Sequence, residues 1–295
     1  MTDVSGTEPA VEPFVAHRSL LFTVAYEMLG SAVDAEDVVQ ETWLRWSGVT
    51  HEAVEDPRAY LVRVTTRLAL NRLRTLSRRR ETYVGPWLPE PLLTGPDVAE
   101  DVELADSVST AMLLVLETLG PTERAVFVLR EVFDVPYDEI ATAVDKSPDA
   151  VRQIAHRARS HVRARQPRQE VTRAERDRVI ERFLAAAATG DIQSLLDVLS
   201  PDVVLVTDGG GRKKAALRPI LGRDKTLRFL TAVSEGPVAG NVIVANGAPA
   251  LTFTIDGELD TVITFHIEDG LVVGLYALRN PEKLGRLGEV TPLER

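Results

Sequence analysis

The chain has 295 residues, a formal charge of −10 and 44% apolar residues, which suits a globular protein of two or three domains. It contains no cysteine, so disulfide frameworks, thiol nucleophiles and cysteine-based zinc sites are excluded. The opening MTDVSGTEPAVEP lacks the basic-then-apolar pattern of a leader, and no apolar run approaches the ~20 residues that span a bilayer. The expectation is a cytoplasmic protein without a membrane segment, metal or other cofactor.

The acidic total conceals a polarised distribution. Eight arginines and no carboxylate side chain lie between Arg58 and Arg80, and a second run holds Lys146, Arg152, Arg157, Arg159, Arg163 and Arg165 against Asp149 alone. Two local basic segments in an acidic chain suit two separate polyanion contacts, although each alone also reads as a solvated helix face.

In chain order, residues 10 to 80 have helical periodicity. In SAVDAEDVVQETWLRW, Ser31 is placed to cap a helix, Val39, Trp43 and Trp46 recur on one face, and Asp34, Asp37 and Glu41 share another. That acidic face is either ordinary charge near a helix N-terminus or a negative docking surface. Asp56-Pro57 opens the next helix. At ~100° per residue, Arg63, Arg67, Asn71 and Arg74 fall on one stripe, opposite Leu61, Leu68, Ala69 and Leu73. A stripe of guanidinium groups suits phosphate oxygens, which arginine can grip bidentately.

GPWLPEPL (85–92) follows. Its prolines make a stiff, extended connector rather than a floppy one, and Trp87, Leu88 and Leu92 give it apolar side chains with which to dock. An acidic stretch leads to helices that resume near Ala105 and restart after Gly120-Pro121. A short helix from Tyr137, a turn, and a longer helix opened by Ser147-Pro148 come next. In the longer helix Val151, Ile154, Ala155, Ala158 and Val162 form an apolar stripe, while Arg152, Gln153, His156 and Ser160 point elsewhere. This is the pattern of a helix-turn-helix reader or of a plain helical hairpin. After a polar stretch, one more helix precedes short β-rich runs (VVLVTD, NVIVAN, ALTFTI, DTVITFHI, LVVGLYAL), with a further helix from Asp224, which together predict a separate α+β domain.

Three blocks carry a family resemblance. DAEDVVQETWLRW, DPRAYLVRVTTRLALNRLRTLSRRR, and LGPTERAVFVLREVFDVPYDEIA with SPDAVRQIAHRARSHV resemble regions 2.2, 2.3–2.4 and 4 of the extracytoplasmic-function sigma factors of the sigma-70 family, over roughly residues 10 to 165. The remainder resembles a SnoaL-like (NTF2-like) domain, whose fusion defines a subgroup with three further motifs. They stand here as WLPEPL (87–92), DGGGRK (208–213) and NPEKL (280–284), with Arg212 in place of a lysine and Glu282 in place of an aspartate.

The resemblance implies a multidomain chain with two all-α sigma domains and then an α+β, cone-shaped domain. The segments are region 2 (10–82), a Pro-rich linker (83–104), a region 4 helix-turn-helix (105–166) and a SnoaL-like domain (167–290). It also implies core RNA polymerase and promoter DNA as partners, the former through Asp34, Asp37, Gln40, Glu41 and Trp43. Arg63, Arg67, Asn71 and Arg74 would engage the −10 element, where a base must leave the stack. Arg152, Gln153, His156 and Arg157 would read the −35 element, since Arg and Gln pair bidentately with guanine and adenine. Trp87, Leu88 and Pro89 would meet Asp208, Gly209, Gly210, Gly211, Asn280 and Pro281 in a regulatory contact, in a chain that is monomeric when free. Read without their context, the three glycines are a loop and Asn280-Pro281 a turn. No catalytic group is needed, because the polymerase performs the chemistry. Two rivals remain: a helix-turn-helix repressor, and a C-terminal domain that binds a small molecule or uses His266 with Asp208 or Asp256 as acid and base.

Overall fold

The computed structural model describes residues 8–80, 82–165, 172–189, 191–233, 239–285 and 287–295. The junction expected at 166–167 lies outside them. Helices α1 (Glu8–Leu29), α2 (Ala32–Trp46) and α3 (Pro57–Arg80) come first. They pack through Leu21, Val24, Ala25 and Met28 of α1, Ala35 and Val39 of α2, and Leu61, Ala69 and Leu73 of α3. The Ser31 hydroxyl accepts the Asp34 amide and so starts α2. A buried hydroxyl pair, Thr42 and Thr65 at 3.1 Å, ties α2 to α3.

The connector runs in extended form to α4 (Pro96–Glu100) and α5 (Val102–Val108). Then come α6 (Thr110–Leu116), α7 (Pro121–Phe127) with a π turn over Val128–Val132, α8 (Tyr137–Val144) and α9 (Pro148–Arg163). Asp145 takes a left-handed conformation, φ 56°, between α8 and α9; a short polar side chain tolerates that geometry. Ser147 caps α9 through the Ala150 amide at 3.2 Å. The apolar residues of α1–α3 and of α5–α9 merge into one cluster rather than two.

Beyond α10 (Arg173–Thr189) and α11 (Ile192–Val198), the strands β1 (Leu199–Asp208), β2 (Ile220–Leu221), β3 (Ala239–Ala245), β4 (Ala248–Ile255), β5 (Glu258–Glu268) and β6 (Leu271–Leu278) form one six-stranded sheet. Helix α12 (Arg223–Val233) follows β2, and α13 (Pro281–Leu284) follows β6. The order is β2-β1-β6-β5-β4-β3, antiparallel except for the β1–β6 pair. Helices α10, α11 and α12 cover one face, where Phe183, Leu195 and Leu227 meet Val203, Leu205, Leu251 and Leu275. The opposite face carries Val206, Val262 and Leu278 and is covered by Leu88 of the connector and Leu114 of α6.

The tip of the β3–β4 hairpin carries much of the cohesion. Asn246 and Gly247 both have positive φ, at 53° and 71°, the geometry of a tight two-residue hairpin turn. A Cβ on Gly247 would sit 2.6 Å from Ala105 Cβ, so the tip presses directly on α5. The buried Asn246 amide accepts the Leu92 N–H at 2.8 Å and donates to the Tyr26 hydroxyl and the Val108 carbonyl, each at 2.7 Å. Main-chain bonds continue beside it, from the Asn246 N–H to Leu92 O and from the Thr94 N–H to Val244 O. The connector thus pairs with the free edge of β3, bridging at Leu93 and Ala245.

A second buried polar cluster joins α1 to the later helices. The Arg124 guanidinium, 1% exposed, donates to the Glu27 carbonyl and pairs with Glu117, which also pairs with Arg80. The Glu27 carboxyl is fully buried, accepts one bond from Ser107, and is pushed up to about 8, chiefly by burial.

Two expectations follow. Asn246→Ala strips partners from the Leu92 amide and the Val108 carbonyl and should cost about 2–4 kcal/mol, read as a lower urea midpoint; an unchanged midpoint would show that the hairpin tip holds nothing. Glu27 has a folded pKa above its ordinary value of 4.5, so the stability it lends is complete below that pH and is lost as the pH rises toward about 8. The urea midpoint should fall across that window in the native chain and stay flatter in Glu27→Gln.

Candidate promoter, polymerase and linker-docking surfaces

Helix α9 has two distinct faces. Val151, Ile154, Ala155, Ala158 and Val162 are buried against α7 and α8, whereas Arg152, Gln153, His156 and Arg157 are exposed along the other side. Arg152 pairs with Asp149 on its own helix. The four side chains named for −35 reading therefore lie on the outer face of a well-anchored helix, the arrangement needed to reach base edges in a major groove.

Helix α3 divides in the same way. Arg67, Asn71 and Arg74 are exposed and Arg63 is half-buried, its guanidinium 5.2 Å from the Tyr60 ring centroid. Arg74 donates to Asn71 Oδ1 at 3.3 Å. Arg67 differs, since it donates to the carbonyls of Thr142 and Ala143 at 2.7 and 3.4 Å. It therefore caps the C-terminal end of α8, where cations are favoured, and locks α3 against the reading hairpin.

The five residues named for polymerase binding all lie on α2. Gln40 and Glu41 are exposed, and Trp43 is half-buried with its ring 5.0 Å from Phe14. Asp34 and Asp37 are held by Arg72 of α3, at 2.6 and 3.1 Å. Leu44 beside them is 68% exposed.

The connector meets the C-terminal domain through a buried ionic clasp. Asp208, at the end of β1, is fully buried and accepts four bonds: from the Tyr83 hydroxyl (2.7 Å), the Leu88 N–H (2.9 Å), the Gly210 N–H (3.0 Å) and Lys283 Nζ (2.7 Å). Lys283 also donates to the Leu88 carbonyl at 2.7 Å and lies 4.2 Å from the Trp87 ring centroid, while Arg80 lies 3.7 Å from the same centroid. Burial pushes Lys283 down to about 8, against the pull of Asp208, and raises the Tyr83 hydroxyl above its usual range. Asn280 caps α13 through the Glu282 amide, with Pro281 at its first position, and donates to Tyr83 at 2.8 Å. The glycine loop is required by this closeness: Gly210 has φ 57°, and a Cβ there would lie 2.3 Å from Asn280 Nδ2. A Cβ on Gly209 would strike the Lys213 carbonyl at 2.2 Å.

The connector faces α2 as well. Glu90 is 8% exposed; its carboxylate accepts from the Ser31 hydroxyl (2.8 Å) and the amides of Ala32 (2.7 Å) and Val33 (3.3 Å) at the N-terminus of α2, and its carbonyl accepts from Tyr26. Pro89 is buried with Leu88. Trp87, Leu88, Pro89, Asp208, the three glycines, Asn280 and Pro281 are thus brought together. Sequence reasoning passed over Tyr83, Glu90 and Asn246, and gave Lys283 only as part of the 280–284 segment. Glu90 and Lys283 sit inside quoted motifs, and Asn246-Gly247 is a hairpin-turn signal read only as a strand boundary.

The rival acid–base pairing is not assembled. Asp208 is paired in register with Leu278 and His266 with Gly274, four residues apart on β6, or about 13 Å along the sheet. His266 alternates with Phe265 and Ile267, which belong to the helix-covered core, so it lies on the other face. Asp256 sits in the exposed β4–β5 turn.

Comparison with known proteins agrees with this geometry. The sigma-70 region 2 family model matches residues 14–79, and the sigma-70 region 4 model matches residues 109–162. The ECF RNA polymerase sigma factor SigJ of Mycobacterium tuberculosis is 38% identical over 292 residues, covering 92% of each chain. SigG of the same species, another ECF RNA polymerase sigma factor, is 32% identical over 91% of this chain and 82% of its own. The crystal structure of M. tuberculosis SigJ superposes with a TM-score of 0.75 at 35% identity, over 92% of this chain and 97% of that one. No described helix is long and apolar enough to cross a membrane. The chain belongs to the extracytoplasmic-function sigma factors of the sigma-70 family, RNA polymerase-binding transcription initiation factors, here with an α+β domain following the sigma regions.

Proposed function

We propose that the C-terminal domain restrains this sigma factor in cis by holding the connector and, through it, the two DNA-reading units in a closed arrangement. The observation that carries the proposal is the Arg67 contact with α8. Elements at −10 and −35 are ~25 base pairs apart, or about 85 Å at 3.4 Å per pair, yet Arg67 of the −10 helix lies 2.7 Å from a carbonyl of the −35 hairpin. Both elements cannot be read at once until α3 and α8 separate. Separation exposes the shared apolar cluster and breaks the Arg124–Glu27 contact, so it needs a partner that replaces those interactions.

Core polymerase is that partner. It competes for Asp34, Asp37, Gln40, Glu41 and Trp43 on α2, two of which are engaged by Arg72 in the closed chain, and for the extended connector with Trp87. Once opened, Arg63, Arg67, Asn71 and Arg74 are available to the −10 element and Arg152, Gln153, His156 and Arg157 to the −35 element. The chain itself supplies recognition, and the bond-forming chemistry is the polymerase's.

Asp208→Asn tests the restraint without altering the connector's own surface. It leaves Lys283 buried without its counter-ion, so amide exchange over residues 83–94 should quicken and run-off transcription with core polymerase should rise several-fold at subsaturating factor. Unchanged exchange together with unchanged transcription would overturn the restraint. In the reading helix, Gln153→Ala should cost about 1–3 kcal/mol of discrimination at one −35 base pair, measured as a flattened preference at that position in binding to a panel of single-base variants.

A further inference from the structure

A third basic stretch of this acidic chain is unexplained by the two reading helices and the clasp. From Arg212 to Arg228 there are seven cationic side chains (Arg212, Lys213, Lys214, Arg218, Arg223, Lys225 and Arg228) against the single carboxylate of Asp224. Several are committed internally. Arg212 pairs with Glu282 at 2.8 Å, and Lys213 and Arg279 share Asp260 at 3.0 and 2.8 Å. Arg223 and Arg228 donate to the carbonyls of Leu196 and Asp224. The side chains of Lys214, Arg218 and Lys225 are exposed and have no hydrogen-bond or ion-pair partner among the described residues.

Their position gives this surplus charge a direction. Helix α3 ends at Arg80, and the connector that follows it runs directly against the basic loop: a Cβ on Gly211 would lie 3.3 Å from Val84 Cβ, and one on Gly85 would lie 3.6 Å from Leu217 Cδ2. The C-terminal end of α3 therefore lies, across a few residues of connector, close to the loop that carries Lys214 and Arg218. We infer that this surface of the C-terminal domain is an additional polyanion site, which, while the connector is seated on that domain, takes DNA phosphates flanking the segment that α3 meets. Lysine and arginine side chains free of internal partners are what phosphate neutralisation requires, and they need read no base. The net charge of −10 repels nucleic acid elsewhere, so a local positive surface beside a DNA-reading helix also sets the side from which the duplex approaches.

The test uses the full chain without core polymerase, in which the connector is seated, with a fluorescent promoter duplex titrated at several salt concentrations. Lys214→Ala/Arg218→Ala removes two exposed side chains without hydrogen-bond or ion-pair partners among the described residues. It should weaken binding several-fold near 0.1 M salt and reduce the log–log salt slope by about 1.8, the value for two phosphates. Trimming the duplex to the edge of the −10 element should erase the difference between native and variant. Parallel salt slopes would overturn the inference and leave a solvated face. A variant that loses affinity for core polymerase while its DNA salt slope is unchanged would also overturn it, assigning the surface to a protein contact. The slope reads phosphate contacts alone, so the result is independent of whether the connector restrains transcription.

Discussion

A carboxylate removed from water must be surrounded by donors, and the arrangement of this chain follows from how Asp208 meets that demand. Its four donors come from three segments: the connector, the glycine loop and α13. Lys283 alone would leave a buried pair with unfilled acceptor capacity, and isolated buried pairs gain little over the cost of desolvation. The connector's Tyr83 hydroxyl and Leu88 amide complete the shell. The C-terminal domain is therefore built around a polar group that is satisfied only when another part of the chain is seated on it.

The same incompleteness recurs in the sheet. One face is sealed by the domain's own helices, but the other depends on Leu88 and Leu114, and the β3 edge is paired by Leu92 to Thr94. An open edge and an uncovered apolar face are both hazards for a free domain. Placing the connector over both turns them into an intramolecular binding surface. Glu90 extends the chain of contacts to the N-terminus of α2, and Asn246 extends it to Tyr26 of α1. Each contact joins backbone or buried polar groups, so seating the connector is closer to an all-or-none event than to a sum of loose touches.

Much of this was legible in the sequence where the signal was periodic or local. The two faces of α9 follow from Val151, Ile154, Ala155, Ala158 and Val162 recurring at helical spacing, and the Ser31 and Ser147 caps follow from residue type and position. The quoted strands lie within β1 and β3–β6 except for Asn246, which falls in the turn after β3; the two-residue β2 escaped, being too short to show alternation. Trp87, Leu88, Asp208, the glycine loop and Asn280 were found through the motifs, not through any pattern in a window, and Tyr83, outside the motifs, was not found. What stayed hidden was long-range and polar. Nothing near Arg67 announces the carbonyls of α8, nothing near Asp34 announces Arg72, and the burial of Glu27 beside Arg124 depends on helices almost a hundred residues apart. Single-chain patterns report which face is apolar, whereas these contacts depend on which faces meet.

The way Asn246 recognises the connector bears on how such a protein can change over generations. It and the β3 edge grip Leu92 to Thr94 mainly through main-chain groups, which every residue except proline supplies in full. Substitutions at those connector positions are therefore tolerated wherever the backbone stays extended and the apolar side chains still fit. The residues that cannot drift alone are those whose side chains meet other side chains, Trp87 against Lys283 and Tyr83 against Asp208 and Asn280. A domain attached in this way is exchangeable between related factors on modest terms, needing a matched clasp and an open sheet edge rather than a wholly matched interface.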